Sequence, residues 1–217
     1  MSKNTSMSLP STNAGYLELI VGPMFSGKTS RLVEVYKQCQ FCNIDVAVIN
    51  HNIDNRYDEE LLSTHDKVKI PCIKTEKLRD VWANEKVFNN IEGEIFRNES
   101  LFLRLNDKIQ ISKSSVILIN EGQFFDDLYE VVIEMLQCGK KVYVCGLDGD
   151  FKRQRFGRML DLIPYCDRVE KLNAFCSLCR DGTLAIFSHR VSGEATQIVI
   201  GADNYMPLCR GCYKKSA

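Results

Sequence analysis

The sequence predicts an α/β P-loop fold: a parallel sheet flanked by helices, with a small zinc-binding domain at its C-terminal end. Three observations carry this. An apolar run enters Gly-x-x-x-x-Gly-Lys-Thr at residues 22–29, strand-like and helix-like stretches alternate to about residue 168, and two Cys-x-x-Cys pairs stand near the end.

Each element has its own signal. Residues 16–21 (Tyr-Leu-Glu-Leu-Ile-Val) read as the first strand and residues 30–38 as the helix after the loop. Residues 44–50, rich in β-branched side chains, predict the second strand. Residues 75–113 mix charges, asparagines and Trp82 with weak helical periodicity; they predict one helix plus an irregular connection, and no functional residue. Val116-Ile117-Leu118-Ile119 is wholly apolar, as a strand covered on both faces should be. Residues 127–137 predict an amphipathic helix with Asp126 as N-cap and Gly139 as its stop, and residues 141–146 return as a strand. Such βαβ punctuation gives a parallel sheet. The expected division is a flexible tail over 1–15, a nucleotide-binding α/β domain over 16–168 and a zinc-binding domain over 169–217.

The composition of the 217 residues, 45% hydrophobic and 26% charged with a formal net charge of zero, is that of a soluble globular protein. A neutral chain gives no general case for nucleic-acid or membrane-surface binding. No apolar run is long enough to span a bilayer, and residues 1–15 lack the apolar core of a secretory signal and the arginines of a mitochondrial leader, so a cytoplasmic location is expected. Ten cysteines in such a protein suggest metal ligands and buried thiols rather than a disulfide framework.

The loop of Gly22, Pro23, Met24, Phe25, Ser26, Gly27, Lys28 and Thr29 is the strongest chemical signal. Its glycines let backbone N–H groups converge on phosphate oxygens at a helix start, Lys28 adds charge for the outer phosphates, and the Thr29 hydroxyl can hold Mg²⁺. A nucleoside triphosphate with Mg²⁺ is therefore expected. Asn120 and Glu121 follow directly on the apolar 116–119 strand, where open α/β sheets bind ligands. A carboxylate there, beside a phosphate cradle, can take a proton from an attacking hydroxyl. Cys176, Cys179, Cys209 and Cys212 form two knuckles around a 29-residue insert, a tetrahedral thiolate site for structural Zn²⁺ with no open position for catalysis. Cys39 and Cys42 share the spacing but lack a partner knuckle, and read as buried inert thiols; Cys72, Cys138, Cys145 and Cys166 have no partner pattern. His51, His65 and His189 show no ligand spacing, and the basic stretch 152–158 reads as a solvated or nucleotide-facing loop.

These motifs together resemble the cytosolic (type II) thymidine kinases: Gly-Pro-Met-Phe-Ser-Gly-Lys-Thr, Glu-Gly-Gln-Phe-Phe from Glu121, and the distal cysteine quartet. Asp54-Asn55-Arg56-Tyr57, Thr64-His65-Asp66, Gly146-Leu147-Asp148-Gly149-Asp150-Phe151 and Gly201-Ala202-Asp203-Asn204-Tyr205 extend the match, which runs from about Tyr16 to Tyr213. The resemblance implies a RecA-like or Rossmann-like P-loop domain and transfer of the ATP γ-phosphate to the 5′-hydroxyl of thymidine, with deoxyuridine a second substrate. It implies Glu121 as general base, and Asn120, Gln123 and Arg56 near the nucleotide with the P-loop. Met24, Phe124, Leu147, Phe151, Phe156, Ser188, Thr196, Ile198, Ile200 and Tyr205 are implied as thymidine contacts. A lasso-like loop over residues 180–208 would close on the base, with a strand at 196–200 supplying main-chain hydrogen bonds. A homotetramer and dTTP as feedback inhibitor are implied as well.

Two departures stand out. Asn120 replaces the family's usual Asp, and Ile200 stands where a second glycine often precedes Gly201. A charge lost near Mg²⁺ costs up to a few kcal/mol at roughly 4 Å and an effective dielectric near 20, so weaker Mg²⁺ affinity is expected. Two competing readings follow: a catalytically weakened nucleotide- and zinc-binding relic, motivated by Asn120, and a zinc-ribbon ATPase acting on nucleic acid, which the neutral charge disfavours.

Overall fold

Apolar residues on both faces of successive strands require helices on both sides of the sheet, and that is how the chain is arranged. The computed structural model describes residues 14–53, 61–63, 68–82 and 99–216. In chain order the elements are β1 (Tyr16–Val21), α1 (Lys28–Phe41), β2 (Val46–His51), β3 (Leu61–Ser63), β4 (Lys69–Pro71), β5 (Ile73–Thr75), α2 (Leu78–Val81), α3 (Glu99–Lys113), β6 (Val116–Ile119), α4 (Leu128–Gln137), β7 (Lys141–Gly146), β8 (Arg168–Lys171), β9 (Ala174–Phe175), β10 (Leu184–Ala185), β11 (Phe187–Arg190), β12 (Tyr205–Leu208) and α5 (Arg210–Ser216).

The six-stranded sheet has the order β5-β2-β6-β7-β1-β8, and all its pairings are parallel. Successive residues of each strand enter opposite layers. Leu17, Leu19, Ile117, Ile119, Val142 and Val144 pack with Ile111 of α3 and with Leu128, Val131 and Met135 of α4. Ile20, Val48, Leu118, Tyr143 and Cys145 pack with Leu32, Val33 and Val35 of α1. One strand, β7, separates β1 from β6, so their C-terminal tips stand about 10 Å apart, two strand spacings. That gap, at the carboxyl edge, is where the 22–29 loop and the Asn120-Glu121 turn meet.

The C-terminal lobe has two antiparallel ladders, β9–β10 and β11–β12, around a small core of Ala174, Cys176, Ala185, Leu208 and Tyr213. Its contact with the sheet domain is polar and specific. Ser188 Oγ accepts the Met24 N–H at 2.9 Å, and Tyr213 OH donates to Phe151 O at 2.5 Å.

Strands β1, β6 and β7 have the boundaries the sequence predicts, while the second strand is shifted to Val46–His51. Strand β8 pairs with β1, so the large sheet takes in residues 168–171, of which 169–171 were expected in the small domain. The N-cap of α4 is Asp127 rather than Asp126, and its carboxylate bonds not its own helix but the N–H groups of Leu78 and Arg79, capping α2. The 75–113 stretch holds two helices, α2 and α3, among its described residues. Residues 196–200 form no strand and pair with none among the described residues; the β-branched run is irregular. Of the expected tail, residues 1–13 lie outside the described residues. No helix among the described residues is long and apolar enough to cross a membrane.

Candidate active site

The P-loop has the backbone its glycines permit. Gly22 has φ 150° and Gly27 φ 84°, both open to glycine and strained for other residues. A side chain at Gly22 would also strike Leu172 O at 2.4 Å. Helix α1 starts at Lys28, so its N-terminus points at the hollow of the loop. The Lys28 ammonium, 9% exposed, donates to Pro23 O at 2.8 Å across the hollow. Ser26 Oγ is buried with no hydrogen-bond partner among the described residues, an orphan that suits a loop built to hold an oxyanion.

At the tip of β6, Asn120 is buried and its amide is oriented by three neighbours. Its Nδ2 donates to Asn50 Oδ1 at 2.9 Å. Its Oδ1 accepts from Cys145 Sγ at 2.9 Å and from Thr29 Oγ1 at 3.4 Å. Burial pushes the Cys145 thiol up to about 12, which keeps it a donor. Thr29 Oγ1 and Asn120 Oδ1 therefore converge beside the P-loop, a neutral oxygen set of the kind that can orient Mg²⁺ or its water.

Glu121 leaves the strand in the left-handed region, φ 54° and ψ 42°, which turns its side chain away from the ladder. Gln123 Nε2 donates to Glu121 Oε2 at 2.6 Å, while Gln123 Oε1 accepts the Leu147 N–H at 3.0 Å. Any side chain at Gly146 would meet Gln123 Oε1 at 2.5 Å, so that glycine leaves the room this clamp occupies. Gln123, expected near the nucleotide, also lines the cleft, but its amide orients the carboxylate. His51 sits beneath, with its ring 4.8 Å from Phe125 and 5.7 Å from Phe124. Burial lowers its pKa, and its Nδ1 accepts the Ile53 N–H at 3.0 Å.

One cleft joins these parts. Its walls are Met24, Phe25, Ser26, Gly27, Lys28 and Thr29 on one side and Glu121, Gln123, Phe124, Leu147 and Phe156 on another, with Ile198, Ile200 and Tyr205 from the small lobe above. Phe124 and Phe156 meet edge to face at 5.4 Å, an apolar corner suited to a flat ring. Three of the expected thymidine contacts lie elsewhere. Ser188 supports the P-loop backbone, Phe151 stacks beneath the Arg190 guanidinium at 3.8 Å, and the Thr196 side chain is exposed. Gly22 and Pro23 do not line this cleft; Pro23 borders a second hollow with Asp148 and Lys171. Arg56, with its neighbours 54–57 and the Thr64-His65-Asp66 motif, lies outside the described residues. Sequence reasoning missed Ser30, Ile53 and Ser63, which line the cleft, and Arg190, which shapes the loop above it; Gln197 and Val199, expected there in a strand, line it from an irregular loop. A single serine or arginine has no periodicity that could have marked it.

The four Sγ atoms of Cys176, Cys179, Cys209 and Cys212 lie within 4.8 Å of one another, with Cys179 at 3.4 Å from Cys212 and 3.8 Å from Cys209. A tetrahedron with Zn–S near 2.3 Å has edges of about 3.8 Å, so the donor set fits zinc. Burial disfavours the Cys176 thiolate, but N–H groups of Cys209, Cys179 and Leu178 outweigh it and bring the thiol down to about 6. The interactions with Cys179 and Cys209 push Cys212 up to about 12. Four adjacent thiolates need a cation among them. Cys39, by contrast, is buried and Cys42 exposed; this pair is not a buried couple and joins no such group among the described residues.

A family model described as thymidine kinase matches residues 15–92 and 84–213. A protein named thymidine kinase from Oryza sativa subsp. japonica is 40% identical over 202 residues, which cover 92% of this chain and 66% of the rice protein. The thymidine kinase of Yaba monkey tumor virus (strain VR587) is 35% identical over 94% of this chain and 97% of its own length. That of Variola virus is 37% identical over 93% of this chain and 98% of its own.

Proposed function

The chain belongs to the thymidine kinase family, and from that premise we propose that it transfers the γ-phosphate of ATP to the 5′-hydroxyl of thymidine, giving dTMP and ADP. The observation that carries this reading is the single cleft shared by the Glu121 carboxylate, the P-loop and the apolar corner of Phe124 and Phe156. Glu121, held by Gln123, accepts the hydroxyl proton as the oxygen attacks phosphorus and the bond to ADP breaks. Lys28 and the P-loop N–H groups offset charge on the transferring group. Thr29 Oγ1 and Asn120 Oδ1 would hold Mg²⁺ or its water, and the ion would supply charge neutralisation for the phosphates. Phe124, Leu147, Phe156, Ile198, Ile200 and Tyr205 surround the thymine.

Zinc at the cysteine quartet, a cytoplasmic homotetramer, deoxyuridine as second substrate and inhibition by dTTP complete the reading, on the strength of family membership. No observation among the described residues favours a relic. The test is a nucleoside panel with ATP and Mg²⁺. Thymidine should be converted to its monophosphate at least tenfold more efficiently than deoxycytidine or purine nucleosides; no dTMP at millimolar Mg²⁺ would overturn the reading.

Asn120→Asp sharpens the metal assignment. A carboxylate beside Thr29 should lower the Mg²⁺ concentration for half-maximal activity about tenfold, a fraction of the few kcal/mol that an unscreened charge would gain. It should also cost about 1–2 kcal/mol of stability and so lower Tm. The new oxygen would face Asn50 Oδ1, and turning the Asn50 amide would take that acceptor from the His51 N–H, now bonded at 3.1 Å. Magnesium titration and thermal denaturation check both effects, and an unchanged Mg²⁺ dependence would contradict the assignment.

A further inference from the structure

The loop that covers the cleft is irregular, yet its carbonyls are almost all engaged. Arg190, at the end of β11, is 5% exposed and reaches back under this loop. Its Nη1 donates to Glu194 O at 3.1 Å and to Thr196 O. Its Nη2 donates to Gln197 O at 2.8 Å and to Tyr205 OH at 2.5 Å. The hydroxyl of Tyr205 in turn donates to Val199 O at 3.0 Å. The guanidinium plane lies over Phe151 at 3.8 Å and over Tyr205 at 5.1 Å. A buried cation met by carbonyl dipoles and aromatic faces is expensive to place, and its bonds fix the loop where no strand partner does.

The same loop is tied to the sheet domain at a second point. Gln197 Nε2 donates to Asp150 Oδ2 at 2.8 Å, and Asp150 Oδ1 accepts the N–H groups of Lys152 and Gln154, both at 2.8 Å. Residues 197–201, which this arrangement holds, form the cleft's upper wall.

We propose that Arg190 is a positioning residue for the nucleoside: by bonding the carbonyls of Glu194, Thr196 and Gln197 and the Tyr205 hydroxyl, it preorganises the loop that closes on the base. This deepens, and rests on, the thymidine kinase reading. The effect depends on a planar, two-armed donor, so a point charge does not replace it. Preorganisation is also where affinity is gained or lost, since a loop that must order on binding weakens it.

The experiment compares Arg190→Lys and Arg190→Ala with the wild-type protein. Both should lower kcat/KM for thymidine by about 100-fold, chiefly through KM, while KM for ATP stays within about twofold and the zinc content is kept. Added guanidinium at millimolar concentration should recover part of the thymidine affinity in Arg190→Ala. Without nucleoside, amide exchange over 194–201 should quicken in both variants while 205–216 keep their protection. Thymidine KM within twofold of wild type, or loss of zinc and of protection over 205–216 together, would overturn the proposal. Should the wild-type protein not phosphorylate thymidine, the parent reading fails, and unchanged exchange over 194–201 separately overturns the role of Arg190 in ordering the loop.

Discussion

Glu121→Gln should reduce kcat for thymidine phosphorylation by about 10²–10⁴-fold, the span that general-base catalysis contributes. The KM values for thymidine and ATP should move only a few-fold, because the amide keeps the size of the carboxylate and can still accept from Gln123 Nε2, now 2.6 Å from Oε2. What it cannot do is bind the hydroxyl proton. Steady-state kinetics with both substrates varied, beside binding of each substrate measured directly, separate the two effects. A kcat within threefold of wild type would remove Glu121 from the reaction.

Loss of the metal should be the second large effect, and it should be selective. Among the described residues the small lobe has a buried hydrophobic core of only Ala174, Cys176, Ala185, Leu208 and Tyr213, and one of these belongs to the cysteine quartet that could hold the metal. So few side chains cannot hold two short ladders and a long loop, whereas a structural zinc site supplies on the order of 10 kcal/mol. Cys209→Ser, or prolonged chelation, should remove one equivalent of zinc and release the lobe. Thymidine binding should then fall by more than 100-fold, because Tyr205, Ile198 and Ile200 reach the cleft only from this lobe. ATP binding should fall less, by the loss of the Ser188 bond to the Met24 N–H. Zinc analysis, circular dichroism and titration with each substrate check this. An enzyme that keeps thymidine affinity without metal would show that the quartet is dispensable.

Much of the framework was legible because it is written locally. Residues 116–119 are apolar throughout, and 16–21 and 141–146 are so apart from Glu18 and Lys141, which is the pattern of a strand buried between helix layers. The P-loop and the cysteine knuckles are legible for a similar reason: contiguous spacing fixes their geometry. Two expectations failed on physics that acts at a distance. Asp126 had the place of an N-cap, but Asp127 took it and turned its carboxylate to the backbone of α2. Residues 196–200 had strand propensity, but an extended segment needs a free edge, and here Arg190 and Tyr205 supply the bonds instead.

The sequence by itself determined the α/β class, the phosphate cradle, the carboxylate at a strand tip and the metal knuckles, since each depends on residues a few positions apart. Only the tertiary structure decided which groups support them. Asn120 meets Asn50 across 70 residues, and Met24 meets Ser188 across 164. Such pairs join polar groups on separate elements, with no periodicity to relate them. Their partners become defined when hydrophobic packing sets the strand order, which brings the tips of β6, β2 and β1 to one edge and folds the small lobe over it.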